Sequence, residues 1–565
     1  MKKTITIITA MLLISLNTFS QAPNWTWAKD AYTGYSQANS VVTDASGNVY
    51  VAGAFYFPII VFGNDTLVNA NAVNYPGDIL LVKYDAAGNY LWSRSAGGKA
   101  ADIANAVTTD AFGNVYVTGY YFSDTLHFGS VILTNPDSIS NIFLAKYNSN
   151  GNILWARSVT GNLSQTSNAI VTDAIGNVYI AGKFFSDTIT FGATTLINKD
   201  TSTDIYVQTT DIFIAKYDSS GNVLWAQRAG GNKIETVTSL LADDVGHIYM
   251  DGTFQSDTIS FGSAHLINND TSGTTSDIFI TKYDTSGTII WTKKAGSLGN
   301  DIAGTMTLDN ASNIFLSGNT DFAASINLGS VVISNYTGRF LAKYDSAGIT
   351  LWAINTGQTD GSPQDGNFVS TDAFGNVYLA GNFRNNTITF DTITLTNTNN
   401  NATNDIFLVK YDSSGHIHWA KQVAGVYDDI AMDLICDASG DVYMTGYFGS
   451  PTAIFNQTAL SNPGMYLAKI DNTTGINTVN LINNGVLVYP NPASSEITIR
   501  QLVIPTKEES LFIINILGQE VYSQTLNNSQ TTINISKWSN GVYFYEIGSG
   551  LQISTSIRGK FVVEK

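Results

Sequence analysis

The stretch DAFGNVYVTG, from Asp110 to Gly119, returns as DAFGNVYLAG from Asp372 to Gly381. Looser copies raise the number to seven, and the final glycines of successive copies lie 63 to 70 residues apart: Gly53, Gly119, Gly182, Gly252, Gly318, Gly381 and Gly446. In four copies two short β-prone runs flank a D-x-x-G-N segment, and the fourth, fifth and seventh copies vary it as DDVGH, DNASN and DASGD. A turn aspartate followed by a glycine in the left-handed conformation suits a tight hairpin with a bulge. The phrase therefore predicts a β-hairpin that recurs seven times.

A second phrase, D-I-F-L-A-K-Y-D-x-x-G, has the same count and predicts a second hairpin in every unit. Its copies end at Gly88, Gly151, Gly221, Gly287, Gly348, Gly415 and Gly475. One tryptophan accompanies each unit: Trp27, Trp92, Trp155, Trp225, Trp291, Trp352 and Trp419. We interpret the unit as four strands, A to D, with a β-rich excursion of variable length between strands B and C.

The chain is too long for one ordinary hydrophobic core. It has 565 residues, of which 44% are hydrophobic and 13% charged, whereas single cores stop growing at roughly 250–300 residues. A four-stranded sheet cannot cover its own two apolar faces, but seven such sheets stacked radially cover one another and leave only short edges. The repeat therefore predicts an all-β fold with seven radial sheets.

The two ends of the repeat array complement each other. Trp27 lies in a D-type strand that no C strand precedes, and the last copy of the second phrase, MYLAKIDNTTG, is a C strand that no D strand follows. We expect the Trp27 strand to pair beside Met465 to Asp471 and to close the array non-covalently. A closed ring is favoured over an open solenoid.

The two phrases together, D-x-x-G-N-V-Y-V-T-G and then D-I-F-L-A-K-Y-D-x-x-G-N-x-L-W, resemble the bacterial seven-bladed β-propeller (SBBP) repeat family. The resemblance covers residues from about 24 to 475. It implies a seven-bladed β-propeller, here closed by the N-terminal outer strand pairing with the last blade. The family has no uniform activity, so the resemblance does not supply a function.

The C-terminal residues follow another pattern. After an Asn-rich linker, residues 476–485, four alternating segments predict a small Ig-like β-sandwich over residues 486–565. The segments YPNPA, ILGQEV, NGVYFYEI and GKFVVEK resemble the type A C-terminal sorting domain of type IX secretion substrates. The resemblance implies that this domain engages the type IX secretion machinery of a Bacteroidetes-type bacterium and directs export.

The N-terminal residues 1–20 predict a secretory signal peptide. Lys2 and Lys3 precede a short apolar run, and Thr18-Phe19-Ser20 is a small-x-small cleavage site. No later segment approaches 18 apolar residues, so we expect no transmembrane segment. The predicted propeller occupies residues 21–475. We expect the mature protein to cross into the periplasm and then to reach the medium or the cell surface.

The net charge and the cysteine content exclude further classes of protein. The formal net charge is −17, from 45 acidic and 28 basic residues, which disfavours a nucleic-acid partner. Cys436, the one cysteine, excludes an intramolecular disulfide. It occupies a repeat position that holds threonine in four other units, which predicts a small buried side chain.

The sequence contains no catalytic, phosphate-binding or Cys/His metal motif. One pattern of carboxylates remains, eight residues before the aspartate of the repeated phrase: Asp102, Glu235, Asp301 and Asp429. If these loops converge, the carboxylates would form an acidic rim that binds a cation, for which calcium is the candidate cofactor. The alternative is that each carboxylate accepts backbone N–H groups and holds its own loop.

Two further recurring residues have structural and functional interpretations. The aspartate of D-x-x-G-N suits a turn better than a calcium site, because it lacks the alternating carboxylates of a calcium-binding loop. The lysine of the K-Y-D segment is expected to pack its stem between strands and to pair with a turn aspartate. A functional ring of lysines is disfavoured in so acidic a chain.

These patterns predict an exported, monomeric binding or interaction platform that is not an enzyme and needs no cofactor. Its ligand would be an extracellular glycan or protein, bound at the loops or on the excursions. Two alternatives remain: a polysaccharide lyase or hydrolase on the same scaffold, and a structural or adhesive surface-layer protein.

Overall fold

The computed structural model describes residues 22–31, 35–71, 73–198, 209–321, 325–334, 338–357, 367–399, 403–456, 458–471, 486–489, 493–501, 509–526, 530–548 and 557–563. The predicted signal peptide and linker, residues 1–20 and 476–485, lie outside them. The chain divides into two units, Met1–Asp471 and Asn472–Lys565. All named elements of the described residues are β-strands.

Each repeat in the first unit forms an antiparallel sheet in the order A-B-C-D. The A strands are Ser36–Thr43, Asp102–Thr109, Gln165–Thr172, Glu235–Ala242, Asp301–Leu308, Asn367–Thr371 and Asp429–Cys436. The B strands are Val49–Phe55, Val115–Tyr121, Val178–Phe184, Ile248–Phe254, Ile314–Thr320, Val377–Phe383 and Val442–Phe448. We number the sheets 1 to 7 in this order.

The C strands are Asp78–Tyr84, Asn141–Tyr147, Asp211–Tyr217, Asp277–Tyr283, Gly338–Tyr344, Asp405–Tyr411 and Gly464–Ile470. The D strands of sheets 1 to 6 are Tyr90–Ala96, Ile153–Val159, Val223–Gly230, Ile289–Ala295, Thr350–Asn355 and Ile417–Val423. The fourth strand of sheet 7 is the N-terminal Trp25–Asp30, which pairs antiparallel with Gly464–Ile470. This all-β architecture of repeated four-stranded sheets agrees with a propeller.

The aspartate of the repeated phrase holds the A–B hairpin turn. In sheet 2, Asp110 Oδ1 accepts the backbone N–H groups of Phe112 and Asn114 at 3.0 and 2.8 Å. Its Oδ2 accepts Asn114 Nδ2 at 2.8 Å and the Tyr116 hydroxyl at 3.2 Å. Gly113 closes the turn at a φ of 78°, which glycine adopts without strain. Each recurring polar residue of the phrase thus stabilises the turn.

The last glycine of the phrase faces a bulge in strand A. Strand A of sheet 2 bulges between Ala104 and Ala106, opposite Gly119. A Cβ atom at residue 119 would lie 2.0 Å from the Ile103 carbonyl oxygen. Because that obstacle is backbone, only glycine fits at this position. Gly53, Gly182 and Gly446 meet equivalent backbone oxygens at 1.9 to 2.0 Å.

The lysine and tryptophan of each unit contact the next sheet. In sheet 2, Lys146 Nζ donates to the Ser219 carbonyl at 3.0 Å, and Trp155 Nε1 donates to the same oxygen at 3.2 Å. Ser219 lies in the C–D turn of sheet 3. The ammonium also lies over the Tyr116 ring at 4.8 Å and 3.8 Å from the Asp110 carboxylate. We call this arrangement the Lys/Trp latch. It confirms the predicted structural role of the lysine.

The latch recurs around the first unit. The lysines Lys83, Lys216, Lys343 and Lys469 donate to the carbonyls of Ser149, Thr285, Ser413 and Ala86, respectively. The tryptophans Trp92, Trp225, Trp291 and Trp352 donate to the carbonyls of Ser149, Thr285, Ser346 and Ser413, respectively. The Lys469–Ala86 contact joins sheet 7 to sheet 1.

Further contacts connect sheets 7 and 1. Val41 N donates to Asp433 Oδ2 at 2.9 Å. Within sheet 7, Trp25 packs edge-on against Phe455 at 5.1 Å, in a core that this sheet shares with sheet 6. Trp27, from the same N-terminal strand, packs against the core that the two sheets share. The first and last sheets thus contact each other through the lysine of the latch and a shared core, whereas the buried Trp27 Nε1 has no hydrogen-bond partner among the described residues.

The excursions between strands B and C form two-stranded sheets at the outer edges. Their strands are Ile59–Phe62 with Asp65–Val68, Thr125–Phe128 with Val131–Thr134, Thr188–Phe191 with Thr194–Ile197, Thr258–Phe261 with Ala264–Ile267, Ser325–Asn327 with Val332–Ser334, Thr387–Phe390 with Ile393–Thr396, and Ala453–Phe455 with Thr458–Leu460. The excursion of sheet 4 pairs with the end of strand D of sheet 3, through Ala229 and Gly230. Such pairing covers part of an edge that would otherwise be exposed.

The second unit contains two sheets around one core. Val486–Tyr489, Glu496–Gln501 and Gln530–Asn534 form the first sheet. The second contains Glu509–Asn515, Glu520–Leu526, Gly541–Gly548 and Ile557–Val563. Side chains of both sheets, including Ile497, Leu511 and Phe561, are buried in a common cluster. In either unit the described residues include no helix long and apolar enough to cross a membrane.

The close approach at Gly119 gives the first prediction. Gly119→Ala should lower the free energy of unfolding by about 3 kcal/mol or more, because the backbone of strand A must shift to admit the methyl group. Gly129→Ala is the matched control: its φ is 58°, and the nearest atom lies 4.0 Å from the added Cβ, so about 1 kcal/mol is expected. Urea unfolding of both variants tests the difference, and equal losses would contradict the close approach.

Candidate functional site

A single cavity is surrounded by the A strands of all seven sheets. Its volume is about 790 Å³. Residues of each A strand line it, represented by Asn39, Asn105, Asn168, Thr238, Thr305, Phe368 and Met432. Tyr56 and Tyr120, which follow or end B strands, line the cavity where the A strands begin. We call this end the cavity mouth.

Neutral polar side chains dominate the bulged positions of the lining. Asn39 Nδ2 donates to the Ala104 carbonyl at 2.8 Å, and Asn105 Nδ2 donates to the Ser167 carbonyl at 2.9 Å. In both cases the acceptor belongs to the next sheet. The amides therefore bridge neighbouring A strands and are held in place by the backbone. Such fixed amides and hydroxyls can both donate to and accept from a polar ligand.

Among the described residues that line the cavity, Asp433 is the one charged group. Its Oδ2 accepts Val41 N at 2.9 Å and its Oδ1 accepts Leu434 N at 2.8 Å. Burial raises the pKa of Asp433 to about 6. Both carboxylate oxygens of Asp433 therefore accept backbone N–H groups of A strands. The cavity lining is otherwise uncharged, although the whole chain has a net charge of −17.

Five aromatic residues from sheets 7, 1 and 2 cluster at the cavity mouth: Tyr35, Tyr56, Tyr120, Phe122 and Tyr447. The Tyr35 ring lies 5.4 Å from Tyr56 and 6.4 Å from Tyr447, and Tyr120 lies 5.8 Å from Phe122. Burial raises the pKa of Tyr56 to about 12, with further contributions from Tyr120 and Tyr35. We call this cluster the aromatic arc. Tyr35 is 47% exposed.

The arc interrupts the symmetry of the repeat. One backbone hydrogen bond identifies equivalent positions in the sheets, because the N–H group of the residue after strand B donates to the carbonyl of the residue before strand A. The donor and acceptor residues are Tyr56 and Tyr35, Phe122 and Ala101, Phe185 and Ser164, Gln255 and Ile234, Asp321 and Asn300, and Gly449 and Asp428. The donor is aromatic in sheets 1 to 3 and not in sheets 4, 5 and 7. This asymmetry lies outside the repeated phrases, and the sequence reveals it only when the residues after the B strands are aligned with one another.

The four carboxylates predicted to form an acidic rim lie elsewhere. Asp102, Glu235, Asp301 and Asp429 each begin an A strand, are completely buried, and do not line the cavity. Asp102 accepts the Ser123 hydroxyl at 2.6 Å and Ser123 N at 3.2 Å. Glu235 and Asp429 accept the equivalent serines, Ser256 and Ser450. These contacts hold the loops that follow the B strands.

Each of these carboxyls has a second acid nearby, at the start of the C strand in the preceding sheet. The four pairs are Asp78 with Asp102, Asp211 with Glu235, Asp277 with Asp301, and Asp405 with Asp429. Burial raises the pKa of Asp102 to about 6 and that of Asp301 to about 7, and the charge of Asp277 adds to the second shift. A second buried acid nearby disfavours the charged form of the first, because like charges repel in a low-dielectric interior.

The structure also describes the possible metal ligands and Cys436. No group of three or more His, Cys, Asp or Glu side chains suited to a metal ion occurs in the part of the chain that is described. A calcium role for the four carboxylates stays a prediction. Cys436 is half-buried against the core of sheet 7, and burial raises the pKa of its thiol.

Residues 487–564 match the family model described as the secretion system C-terminal sorting domain. The match covers the second unit's described strands almost completely. The chain therefore carries a type IX sorting domain at its C-terminus and is exported to the cell surface or the medium. This confirms the predicted sorting domain and the predicted localisation.

Two curated proteins share sequence similarity with the chain. An uncharacterized WD repeat-containing protein of Acanthamoeba polyphaga mimivirus is 23% identical over 515 residues, which cover 76% of this chain and 36% of that protein. Regulatory protein FlaEY of Caulobacter vibrioides is 30% identical over 223 residues, 38% of this chain and 22% of that protein. The chain thus spans about a third and about a fifth of their lengths.

Solved structures give weaker likenesses. PorZ, an essential surface component of the type IX secretion system of Porphyromonas gingivalis, aligns with a TM-score of 0.31 and 13% identity, covering 93% of this chain and 74% of PorZ. Sqt1 from Chaetomium thermophilum aligns with a TM-score of 0.39 and 9% identity, covering 80% and 99%. Neither likeness is close enough to define the fold or the function of this chain.

The buried acid pairs predict a pH dependence of stability. The pKa of Asp301 is about 7 in the folded chain, against 3.8 as a free group. The protonated carboxyl therefore contributes its full share to the free energy of unfolding below about pH 4, and this contribution is lost as the pH rises through 7. Asp301→Asn imitates the protonated form. It should raise the free energy of unfolding at pH 8 by about 2–4 kcal/mol and change it little at pH 4. Exposed Asp137→Asn is the control. Destabilisation by Asp301→Asn at both pH values would contradict the assignment.

Proposed function

We propose that this protein is an exported, non-enzymatic binding module that takes its ligand at the mouth of the central cavity. The observation that carries the proposal is the aromatic arc. Seven A strands of nearly repeated sequence surround one cavity, yet exposed and half-buried rings contact one another at the mouth beside sheets 7, 1 and 2. One further ring, Phe185, follows the B strand of sheet 3, whereas Gln255 and Asp321 hold this position in sheets 4 and 5. Such a break in symmetry, placed on a rigid cavity rim, marks a binding site better than any feature shared by all units.

We further propose that the seven sheets are the blades of one closed seven-bladed propeller. The contacts between sheets 7 and 1 support closure, since the Trp25–Asp30 strand completes sheet 7 and Lys469 makes the lysine contact of the Lys/Trp latch, to Ala86 of sheet 1. Closure would leave no sheet face exposed at either end of the array. It would also hold the arc together, because Tyr447 belongs to the last sheet and Tyr35 precedes the first.

The chemistry at the mouth favours binding over catalysis. The cavity's one charged lining residue, Asp433, is engaged by two backbone N–H groups. Of the other carboxyls with raised pKa, Asp251 lies within a B strand, where Ser239 donates to it. The rest begin A or C strands, where serine and backbone donors hold them, and none of these carboxyls is among the described residues that line the cavity. A hydrolase or lyase would need an acid and a base facing a substrate. Export through the sorting domain would present the mouth to extracellular ligands.

Removal of the N-terminal strand tests closure. A chain lacking residues 21–31 leaves the edge of strand Gly464–Ile470 unpaired and removes Trp25 from its core, so its melting temperature should fall by 10 °C or more. A synthetic peptide of residues 22–31 should restore much of the loss through the same pairing, whereas a scrambled peptide should not. Equal melting of the truncated and full-length chains would refute non-covalent closure.

Obstruction of the cavity tests the site. Thr238 lines the cavity, and Thr238→Trp should weaken binding of the full chain to an envelope preparation of the producing cells by at least tenfold in a co-sedimentation assay. Thr125→Trp, on an exposed excursion, should bind like the wild type. Unchanged binding by Thr238→Trp would place the site elsewhere, and breakdown of an envelope polymer by the wild-type chain would contradict the non-enzymatic assignment.

A further inference from the structure

We propose that the ligand of the cavity mouth is a neutral carbohydrate chain, whose sugar rings stack on the aromatic arc and whose hydroxyls bond to the amides and hydroxyls of the cavity rim. This inference rests on the proposed function and names the chemical class of its ligand. Three features carry it: the exposed Tyr35 ring with four half-buried rings beside it, a polar lining whose described residues include one charged group, Asp433, and the acidic character of the whole chain.

The rings of the arc offer faces of the right kind. A sugar ring presents a face of C–H groups that packs against an aromatic ring, whose amphipathic character suits a ligand that is apolar on one side and wet on the other. Tyr35 and Tyr56 are inclined at 46° and their centroids lie 5.4 Å apart. Tyr35 and Tyr447 are inclined at 64°. Rings set at different angles suit successive sugars of a chain, which present their faces in different directions.

The arc is held rigidly. Tyr56 N donates to the Tyr35 carbonyl at 2.9 Å, which ties the two loops together. Gly77 lies against Tyr56 and Ile103: an added Cβ would be 2.7 Å from the Tyr56 ring and 2.6 Å from Ile103 Cδ1. The glycine therefore lets the Tyr56 ring lie against the backbone. A prearranged surface of this kind loses little conformational entropy when a ligand binds.

The lining next to the arc supplies hydrogen-bonding groups without charge. Gln37, Asn39 and Asn105 line the cavity in sheets 1 and 2, the same sheets that carry most of the arc. Gln37 Nε2 and Asn39 Nδ2 each have one N–H group engaged by the protein, and both N–H groups of Asn105 Nδ2 are engaged. The remaining N–H groups and the amide oxygens of Gln37 and Asn105 can bond to sugar hydroxyls. An apolar peptide would need a hydrophobic groove next to the rings, whereas polar side chains lie next to the rings here.

Charge selects a neutral sugar over an anionic one. The net charge of −17 creates a repulsive field for polyanions, and none of the described residues that line the cavity is a lysine or an arginine. Lys183, in sheet 3, lies 5.9 Å from the centre of the Phe185 ring. Arg384 follows the B strand of sheet 6, at the position that Tyr56 holds in sheet 1. Cations in two separate sheets do not form the basic cluster that a carboxylated or sulfated polymer would need.

Calorimetric titration with defined sugars tests the inference. The probes are neutral hexasaccharides of β-glucan, α-mannan and galactan, with hexagalacturonate as the anionic comparison. We expect at least one neutral probe to bind with an affinity that 0.5 M NaCl does not change. The variant with both Tyr35→Ala and Tyr56→Ala should bind at least tenfold more weakly. Failure of every neutral probe, or salt-sensitive binding of hexagalacturonate alone, would overturn the inference.

Matched controls come from the opposite end of the sheets. Phe112 and Phe374 lie in A–B turns and are 73% and 78% exposed, so Phe112→Ala with Phe374→Ala removes two rings that are more accessible than Tyr35 and Tyr56 and lie far from the mouth. This variant should keep its affinity within twofold. Gly77→Ala should weaken binding while leaving all five rings present. Equal loss of affinity in the control and arc variants would show that exposed rings anywhere bind sugars, and would also overturn the inference.

Treated envelope preparations separate this inference from the proposed function. Periodate destroys sugar diols and proteinase destroys proteins. Binding that periodate abolishes and proteinase spares supports the carbohydrate. If only proteinase abolishes binding, and the arc variant still fails to bind untreated envelopes, the ligand is not a carbohydrate but the binding site is retained. Binding that neither the arc variant nor Thr238→Trp affects overturns both.

Discussion

The fold depends on the fact that each four-stranded sheet has two apolar faces. The B strand Val49–Phe55 and the C strand Asp78–Tyr84 are buried at every position, so both faces require a neighbour. The Lys/Trp latch sets how that neighbour is held. Its lysine and tryptophan reach out of one sheet and donate to a carbonyl in the C–D turn of the next, while the lysine's charge is balanced by an aspartate of its own sheet. Hydrophobic burial supplies most of the stabilisation, and these directional bonds set the register between sheets.

Repetition of the latch accounts for the location of the cavity. Since consecutive sheets are held in the same orientation, all A strands face one another and enclose a common space. The bulged amides then bridge neighbouring A strands, as Asn39 does to the Ala104 carbonyl. The lining is consequently polar and rigid. Functional variation is left to residues outside the shared contacts, and the aromatic arc lies among those residues.

The carboxyl groups have two contrasting environments. Turn aspartates such as Asp110 accept several N–H groups and one hydroxyl near the protein surface. The acids that begin the A and C strands are buried in pairs at the boundaries between sheets, and their pKa values rise. The first set stabilises hairpins and the second makes the boundaries between sheets sensitive to pH. An acidic chain thus keeps many of its carboxylates away from the cavity.

The sequence by itself determined the repeat, its hairpins, the latch lysine and the C-terminal sorting domain. These follow from local rules: a turn needs Asp110 and Gly113 at a set spacing, and strand alternation is visible along the chain. The site was not predictable in the same way. The hypothesis of an acidic rim treated Asp102 and Asp301 as loop residues facing an axis, whereas the tertiary structure buries them at strand starts beside serines and second acids. The arc joins Tyr35, Tyr120 and Tyr447, which are hundreds of residues apart at the extremes, and only the packing of the last sheet against the first brings them together. Local spacing specifies strands and turns, but proximity between distant units is decided by how complete sheets pack.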